Sequence, residues 1–228
     1  MATHTSPIIC TVDVVLLTLN DSGQLCVASF LRDKEPYKGS YALPGGYVRP
    51  DEDATAFYAA MRVLRDKTGI ESPYLEQLAT FSGANRDPRG WSASIVYFAL
   101  VPKELLDKQN VADMRLTPIH EVGRMPFDHA DIVQCAVNRV RSKSLYTTLP
   151  ALFLGEFFTL PQLQASYEAV MGKELNKVSF RRKMATLEAI ESVGVHKLGR
   201  QNRPPEYFRL RPEWRTRLEV FDRGVGVQ

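Results

Sequence analysis

From Leu43 to Ile70 the chain reads LPGGYVRPDEDATAFYAAMRVLRDKTGI, and this stretch decides how its first half folds. Leu43-Pro44-Gly45-Gly46 is a tight turn, because adjacent glycines reach backbone conformations closed to other residues. A helix is expected from about Ala54 to Lys67, ended by Thr68-Gly69 with Gly69 in the left-handed position past its end. Upstream, Ile8 to Leu19 is rich in Val, Ile, Thr and Leu and predicts a buried strand. The cluster Asn20-Asp21-Ser22-Gly23 turns it into a returning strand, Gln24 to Leu31. Downstream, Tyr74 to Ser82 and Ser92 to Val101 predict two more strands, joined by the polar loop Gly83 to Gly90. Asp128 to Ser144 has helical spacing, with Ile132, Val133, Ala136, Val137 and Val140 on one face. Elements of these kinds in this order indicate an α+β or α/β sandwich.

After Leu149-Pro150 the character changes. Thr159 is the expected N-cap of a helix with Pro161 in its first turn, an apolar face of Leu163, Tyr167 and Val170, and a stop at Met171-Gly172. A second helix is expected to start near Ser179 and to turn Phe180, Met184, Leu187 and Ile190 inward. That start puts Arg181, Arg182 and Lys183 in the first turn, where positive charge opposes the helix dipole and a nearby phosphate would relieve the conflict. Val193 to Leu198 and Tyr207 to Leu210 then form a hairpin with a basic tip, Gly199 to Pro205. Two helices joined by a short turn and followed by a basic hairpin is the order of a winged helix-turn-helix. The expected division is residues 1–146 and 147–228.

Composition fits this reading. The chain has 228 residues, 44% of them hydrophobic and 24% charged, in the range of globular domains. No apolar run approaches the roughly 20 residues that span a bilayer, and the N-terminus lacks the pattern of a signal peptide. Cys10, Cys26 and Cys135 lie far apart without metal-ligand spacing and are expected to be buried thiols in a reducing, cytoplasmic setting. The net charge of +3 is unevenly spread: residues 173–217 hold 12 Lys+Arg against 5 Asp+Glu. A basic C-terminal third on a neutral body points to a polyanionic partner, though a solvated basic surface gives the same count.

The stretch from Gly46 to Ile70 resembles the Nudix box, G-x5-E-x7-R-E-U-x-E-E-x-G-U, where U is a bulky aliphatic residue. Arg62, Leu64, Gly69 and Ile70 fall on its Arg, aliphatic, Gly and aliphatic positions, with two extra residues between Gly46 and Arg62. The resemblance covers roughly residues 8–145 and implies a Nudix αβα sandwich. A working Nudix hydrolase uses the box carboxylates to hold Mg²⁺ or Mn²⁺, ions that prefer oxygen ligands and activate water. Here Val63 and Lys67 stand at two of those positions and Asp66 at a third. Glu52 keeps the early Glu spacing counted from Gly46, whereas Ala54 holds that place counted back from Arg62. An aliphatic residue and an ammonium do not hold a divalent cation, so little or no hydrolysis, no bound metal and no cofactor are expected.

The pocket itself remains. The loop carrying Arg86, Asp87, Arg89 and Trp91 offers two guanidiniums for phosphate and an indole for stacking, although Trp91 alone would read as a core aromatic. Arg32 joins this cluster, and Tyr41, Gly46, Arg49 and Arg62 are further candidates, Arg62 equally suited to holding the helix to its loop. Phe127, Asp128 and His129 carry no functional signal in the sequence.

Both halves together resemble the Nudix-related transcriptional regulators of NAD metabolism, the NrtR family. The resemblance rests on Phe30-Leu31-Arg32, Lys38 to Gly46, Arg86 to Trp91, Phe157 to Leu160, Ser179-Phe180-Arg181-Arg182, and the Gly199-Arg200 and Arg203-Pro204 wing. It implies a homodimeric repressor of NAD-synthesis or salvage genes, released from double-stranded operator DNA by ADP-ribose or a related nucleotide. Arg181, Arg182 and Lys183 would then face the major groove or its flanking phosphates, and Lys177 and Ser179 the DNA backbone at the helix start. Lys197, Arg200 and Arg203 would reach a neighbouring groove. The rival readings are an active ADP-ribose pyrophosphatase with an accessory winged helix, and an adaptor whose winged helix binds protein.

Overall fold

Side-chain alternation sets the layers of the first half. In β1 (Ile9–Leu19), Val12, Val14 and Leu16 face one side of the sheet, and Val15 and Leu17 the other. The remaining elements of this half are β2 (Leu25–Leu31), β3 (Tyr41–Ala42), β4 (Gly45–Tyr47), α1 (Ala56–Thr68), β5 (Leu75–Gly83), β6 (Ser92–Leu100), α2 (Lys103–Gln109), β7 (Met114–Pro118) and α3 (His129–Ser144). The strands form one sheet in the order β3-β2-β1-β6-β5, with β4 also paired to β1 and β7 to β2. The β1–β6 pairing is parallel and the others are antiparallel. Ala59, Ala60, Val63 and Leu64 of α1 cover one face. Ile132, Val133, Ala136, Val137 and Val140 of α3 cover the other, as their spacing predicts. The result is the expected αβα sandwich. This computed structural model describes residues 7–72, 74–109, 111, 113–195, 205–222 and 224–225.

Helix α1 begins two residues later than expected because Thr55, in extended conformation, is its cap and accepts the Tyr58 N–H. Gly69 ends it at φ 69° with its N–H bonded to the Arg65 carbonyl, as expected. The cysteines differ from expectation: Cys10 is exposed, Cys135 is intermediate and Cys26 alone is buried. At Cys10 the burial of β1 has not yet begun; the strand becomes continuously buried only from Val12.

The second half holds a buried 3₁₀ turn, Leu149–Phe153, then α4 (Leu160–Met171), α5 (Lys177–Met184), β8 (Ile190–Val195) and β9 (Glu206–Leu210). Thr159 and Gln162 form a reciprocal capping box at the start of α4. Phe158 pairs with Phe208 in a single isolated bridge beside the two-stranded β8–β9 hairpin. This is a winged helix-turn-helix. Helix α5, however, starts at Lys177 and not near Ser179, because the Asn176 side chain caps it by accepting the N–H groups of Val178 and Ser179. Arg181, Arg182 and Lys183 therefore lie in its last turn, where positive charge favours the helix. The electrostatic conflict expected from the sequence does not exist. Leu187 is buried past the helix end, and Ile190 belongs to β8. Lys197, Arg200 and Arg203 lie outside the described residues.

One hydrophobic core runs through the junction, from Ile132 and Val140 of α3 through Leu149 and Phe153 to Leu163, Tyr167 and Phe180. The Tyr167 hydroxyl, fully buried, donates to the Thr147 carbonyl at 2.8 Å. The C-terminal segment closes over the same place: Thr148, Phe221 and Val225 donate backbone N–H bonds to Glu219, Tyr146 and Leu145 respectively. Among the described residues no helix is long and apolar enough to cross a membrane.

Candidate functional site

A cleft of about 450 Å³ opens over the turn between β3 and β4, walled by β1, the β2–β3 loop, α1 and the loop before β6. Its floor is a buried polar cluster. Asp13 accepts from the Ser94 hydroxyl at 2.5 Å and lies 3.8 Å from the Arg86 guanidinium. Arg86 is 8% exposed in its side chain and donates to both Asp128 oxygens at 2.8 and 2.9 Å and to the Ser92 hydroxyl at 3.1 Å. His129 accepts the Leu43 N–H on Nδ1 at 3.0 Å, which leaves the proton on Nε2, 3.6 Å from Asp13. Burial pushes the imidazole below its ordinary value, against the pull of Asp13 and Asp128, so the ring is neutral.

Gly45 and Gly46 let the turn lie against this floor. A Cβ on Gly45 would stand 2.0 Å from an Asp13 oxygen, and one on Gly46 would stand 3.1 Å from a Val63 methyl. Close approach requires glycine at 45, whereas a side chain at 46 would need the Val63 methyl to give by a few tenths of an ångström.

At the rim, Arg89 grips Asp87 with two bonds of 3.0 and 2.6 Å and donates to the Tyr47 hydroxyl. Burial acts to raise the Asp87 carboxyl, but the Arg89 bonds outweigh it and hold it below the usual range. Arg32 lies over the Phe127 ring at 5.0 Å and donates to the Pro36 carbonyl at 2.8 Å, which fixes the β2–β3 loop. On α1, Val63 is buried in the core, Lys67 is exposed, and Asp66 faces Arg62 at 3.9 Å. Arg62 binds Asp53 with two bonds of 2.8 Å and the Tyr47 carbonyl at 3.0 Å. It both holds the helix to its loop and lines the cleft.

Of the candidates read from sequence, the structure gathers Arg32, Gly46, Arg49, Arg62, Arg86, Asp87 and Arg89 around the cleft. It does not bring Tyr41 or Trp91 to the cleft wall. The Tyr41 ring faces the Arg115 guanidinium at 3.8 Å, and Trp91, just before β6, stands half-exposed. Sequence reasoning missed Asp13, Ser94, Tyr47, Phe127, Asp128 and His129. A carboxylate inside the otherwise apolar run of β1 was the available signal for Asp13.

The second candidate surface is the outer face of α5. Lys177, Val178, Ser179, Arg181 and Arg182 are exposed, while Phe180 and Met184 anchor the helix to the core. Lys183 departs from expectation: it is only partly exposed and lies over the Phe221 ring at 5.2 Å, away from the open face. Ser179 remains exposed, and its N–H is bonded to the Asn176 side chain at 3.0 Å.

A sandwich with this glycine turn, joined to a winged helix, defines a Nudix-related regulator architecture. The model for the NUDIX domain matches residues 11–135, and that for the NrtR DNA-binding winged helix domain matches residues 150–210. The ADPR responsive transcriptional repressor NtrR of Acinetobacter baylyi is 37% identical over 211 residues, 91% of this chain and 83% of that protein. Shewanella oneidensis NrtR complexed with a 27mer DNA superposes with a TM-score of 0.86 at 34% identity, covering 95% of this chain and 99% of that one. The NUDIX domain of the same Shewanella protein complexed with ADP ribose matches with a TM-score of 0.52 at 30% identity, over 61% of this chain and 93% of that one. The chain belongs to the NrtR family.

Proposed function

We propose that this protein is a DNA-binding repressor of NAD-synthesis or salvage genes, acting as a homodimer and released from its operator by ADP-ribose or a related NAD-derived nucleotide. The observation that carries the reading is the dual role of α3. Its start holds the loop residue Arg86 through the Asp128 cap and supplies His129 to the cleft floor. Its second half packs against α4 of the winged helix, where Arg141 donates to the Val170 carbonyl at 3.2 Å. A nucleotide in the cleft thus meets the same rigid element that carries the DNA-reading unit. Arg32, Arg86 and Arg89 suit a diphosphate through their planar donors. Such a ligand shifts DNA affinity only if it binds the two states of the protein differently. Arg86 offers that difference: its donors are engaged by Asp128 and Ser92, so a diphosphate that takes them must loosen the start of α3.

The cleft does not fit a catalytic Mg²⁺. Val63 presents no oxygen, the Lys67 ammonium repels a cation, and Asp66 is left as the lone box carboxylate beside Arg62 and Arg65. We therefore read the cleft as sensing without hydrolysis. An electrophoretic shift assay with the upstream DNA of NAD-synthesis genes tests the proposal, with retarded complex expected and its loss on adding ADP-ribose. Retardation indifferent to ADP-ribose would remove the effector; rapid Mg²⁺-dependent AMP release, abolished in Asp66→Ala, would favour a pyrophosphatase.

A further inference from the structure

Val178 is 74% exposed, the most exposed of the large apolar side chains among the described residues. It sits in the first turn of α5, where a β-branched residue is a weak helix former. Packing within the domain does not explain it, since the buried face of the helix is made by Phe180 and Met184. At about 100° per residue, Val178 lies roughly 160° around the helix from Phe180, and Arg182 about 200°. The two are one turn apart and share the outermost line of the helix, with Arg181 and Ser179 flanking them.

We infer that Val178 is a specificity-determining residue that packs on the C5-methyl of a thymine in the operator, beside a base or phosphate held by Arg182. The inference rests on the DNA-binding reading above. The chemistry is selective, because the edges of the bases offer polar atoms along the major groove and one aliphatic group, the thymine methyl. The first turn of a recognition helix is also the part that reaches base edges. An aliphatic side chain there, flanked by cations and facing outward, matches a methyl on the groove floor between two rows of phosphates. Its amide is capped by Asn176 at 3.1 Å, so the backbone of Val178 does not compete for the same contact.

The test selects duplexes from a randomised DNA pool with the full chain, then replaces each thymine of the enriched duplex in turn by deoxyuridine, which lacks only the methyl. At one thymine per half-site the wild type should lose roughly four-fold in affinity, the worth of one buried methyl. Val178→Ala should melt no lower than the wild type, bind more weakly, and be insensitive to uracil at that position. Uracil that changes nothing at any thymine, or that weakens Val178→Ala as much as the wild type, would overturn the inference while leaving DNA binding intact. A selection that enriches no duplex would overturn the DNA-binding reading and this inference with it.

Discussion

Asp53 accepts two hydrogen bonds from Arg62 and one from the Arg49 N–H, and the Arg62 bonds above all hold its carboxyl at about 2. An unfolded Asp titrates near roughly 3.9. With the folded value below the unfolded one, the stabilisation is fully present above about pH 4 and is lost as pH falls towards 2. Asp53→Asn should therefore be less stable at neutral pH, and its stability should fall less than that of the wild type between those limits, as read by denaturant titrations across pH. Gly45→Ala addresses the other tight contact. Asp13 could make room only by giving up its bond from Ser94, and the Val12 carbonyl stands 3.2 Å from the added Cβ. A destabilisation of about 3 kcal/mol is expected from such overpacking, measured by urea unfolding. At this scale the sequence was legible where chemistry clusters locally, as in Arg86, Asp87 and Arg89. It was illegible for Asp128 and His129, whose partners Arg86 and Leu43 lie 42 and 86 positions away.

Helix α3 is the element through which the cleft and the winged helix meet, and 16 residues give it a length of roughly 24 Å. Asp128→Ala removes the bidentate partner of Arg86 while leaving the α3–α4 contact in place. DNA affinity should stay within about three-fold of the wild type, whereas the ADP-ribose concentration needed for release should shift by roughly ten-fold, a typical coupling; titrated shift assays measure both. Helix α5 gives a sharper contrast. Arg182→Ala should cost about ten-fold in DNA affinity and lower the salt slope by about one, while Lys183→Ala, whose ammonium faces Phe221, should change neither. The true start of α5 escaped sequence reading because Asn176 and Ser179 are both good caps, and only the bonds made by the Asn176 side chain decide between them. The strands and α3 were legible because burial on one face imposes a period that local composition carries.

At the scale of the whole molecule, the two halves share their core across Leu149 and Tyr167. The chain has two tryptophans, Trp91 in the first half and Trp214 in the second. Unfolding followed through Trp91 alone (Trp214→Phe) and through Trp214 alone (Trp91→Phe) should share the wild type's midpoint, or shift with it together in far-ultraviolet dichroism, as one cooperative unit requires. Two separated midpoints would contradict a common core. The sequence marked a change of character near Pro150, but it hid the closure of the junction. That closure is made by Glu219, Phe221 and Val225, which return from the far end of the chain to pair with Leu145, Tyr146 and Thr148.

This returning strap bears on how such proteins can be recombined. The matched winged-helix region ends at residue 210, yet the Glu219 carboxylate caps the turn after α5 through the N–H groups of Glu188 and Ala189. A chimaera cut at 210 would strip the DNA-reading unit of its own clasp. A transplant meant to keep its grip must carry the tail through Val225, together with a host helix that ends as α3 does.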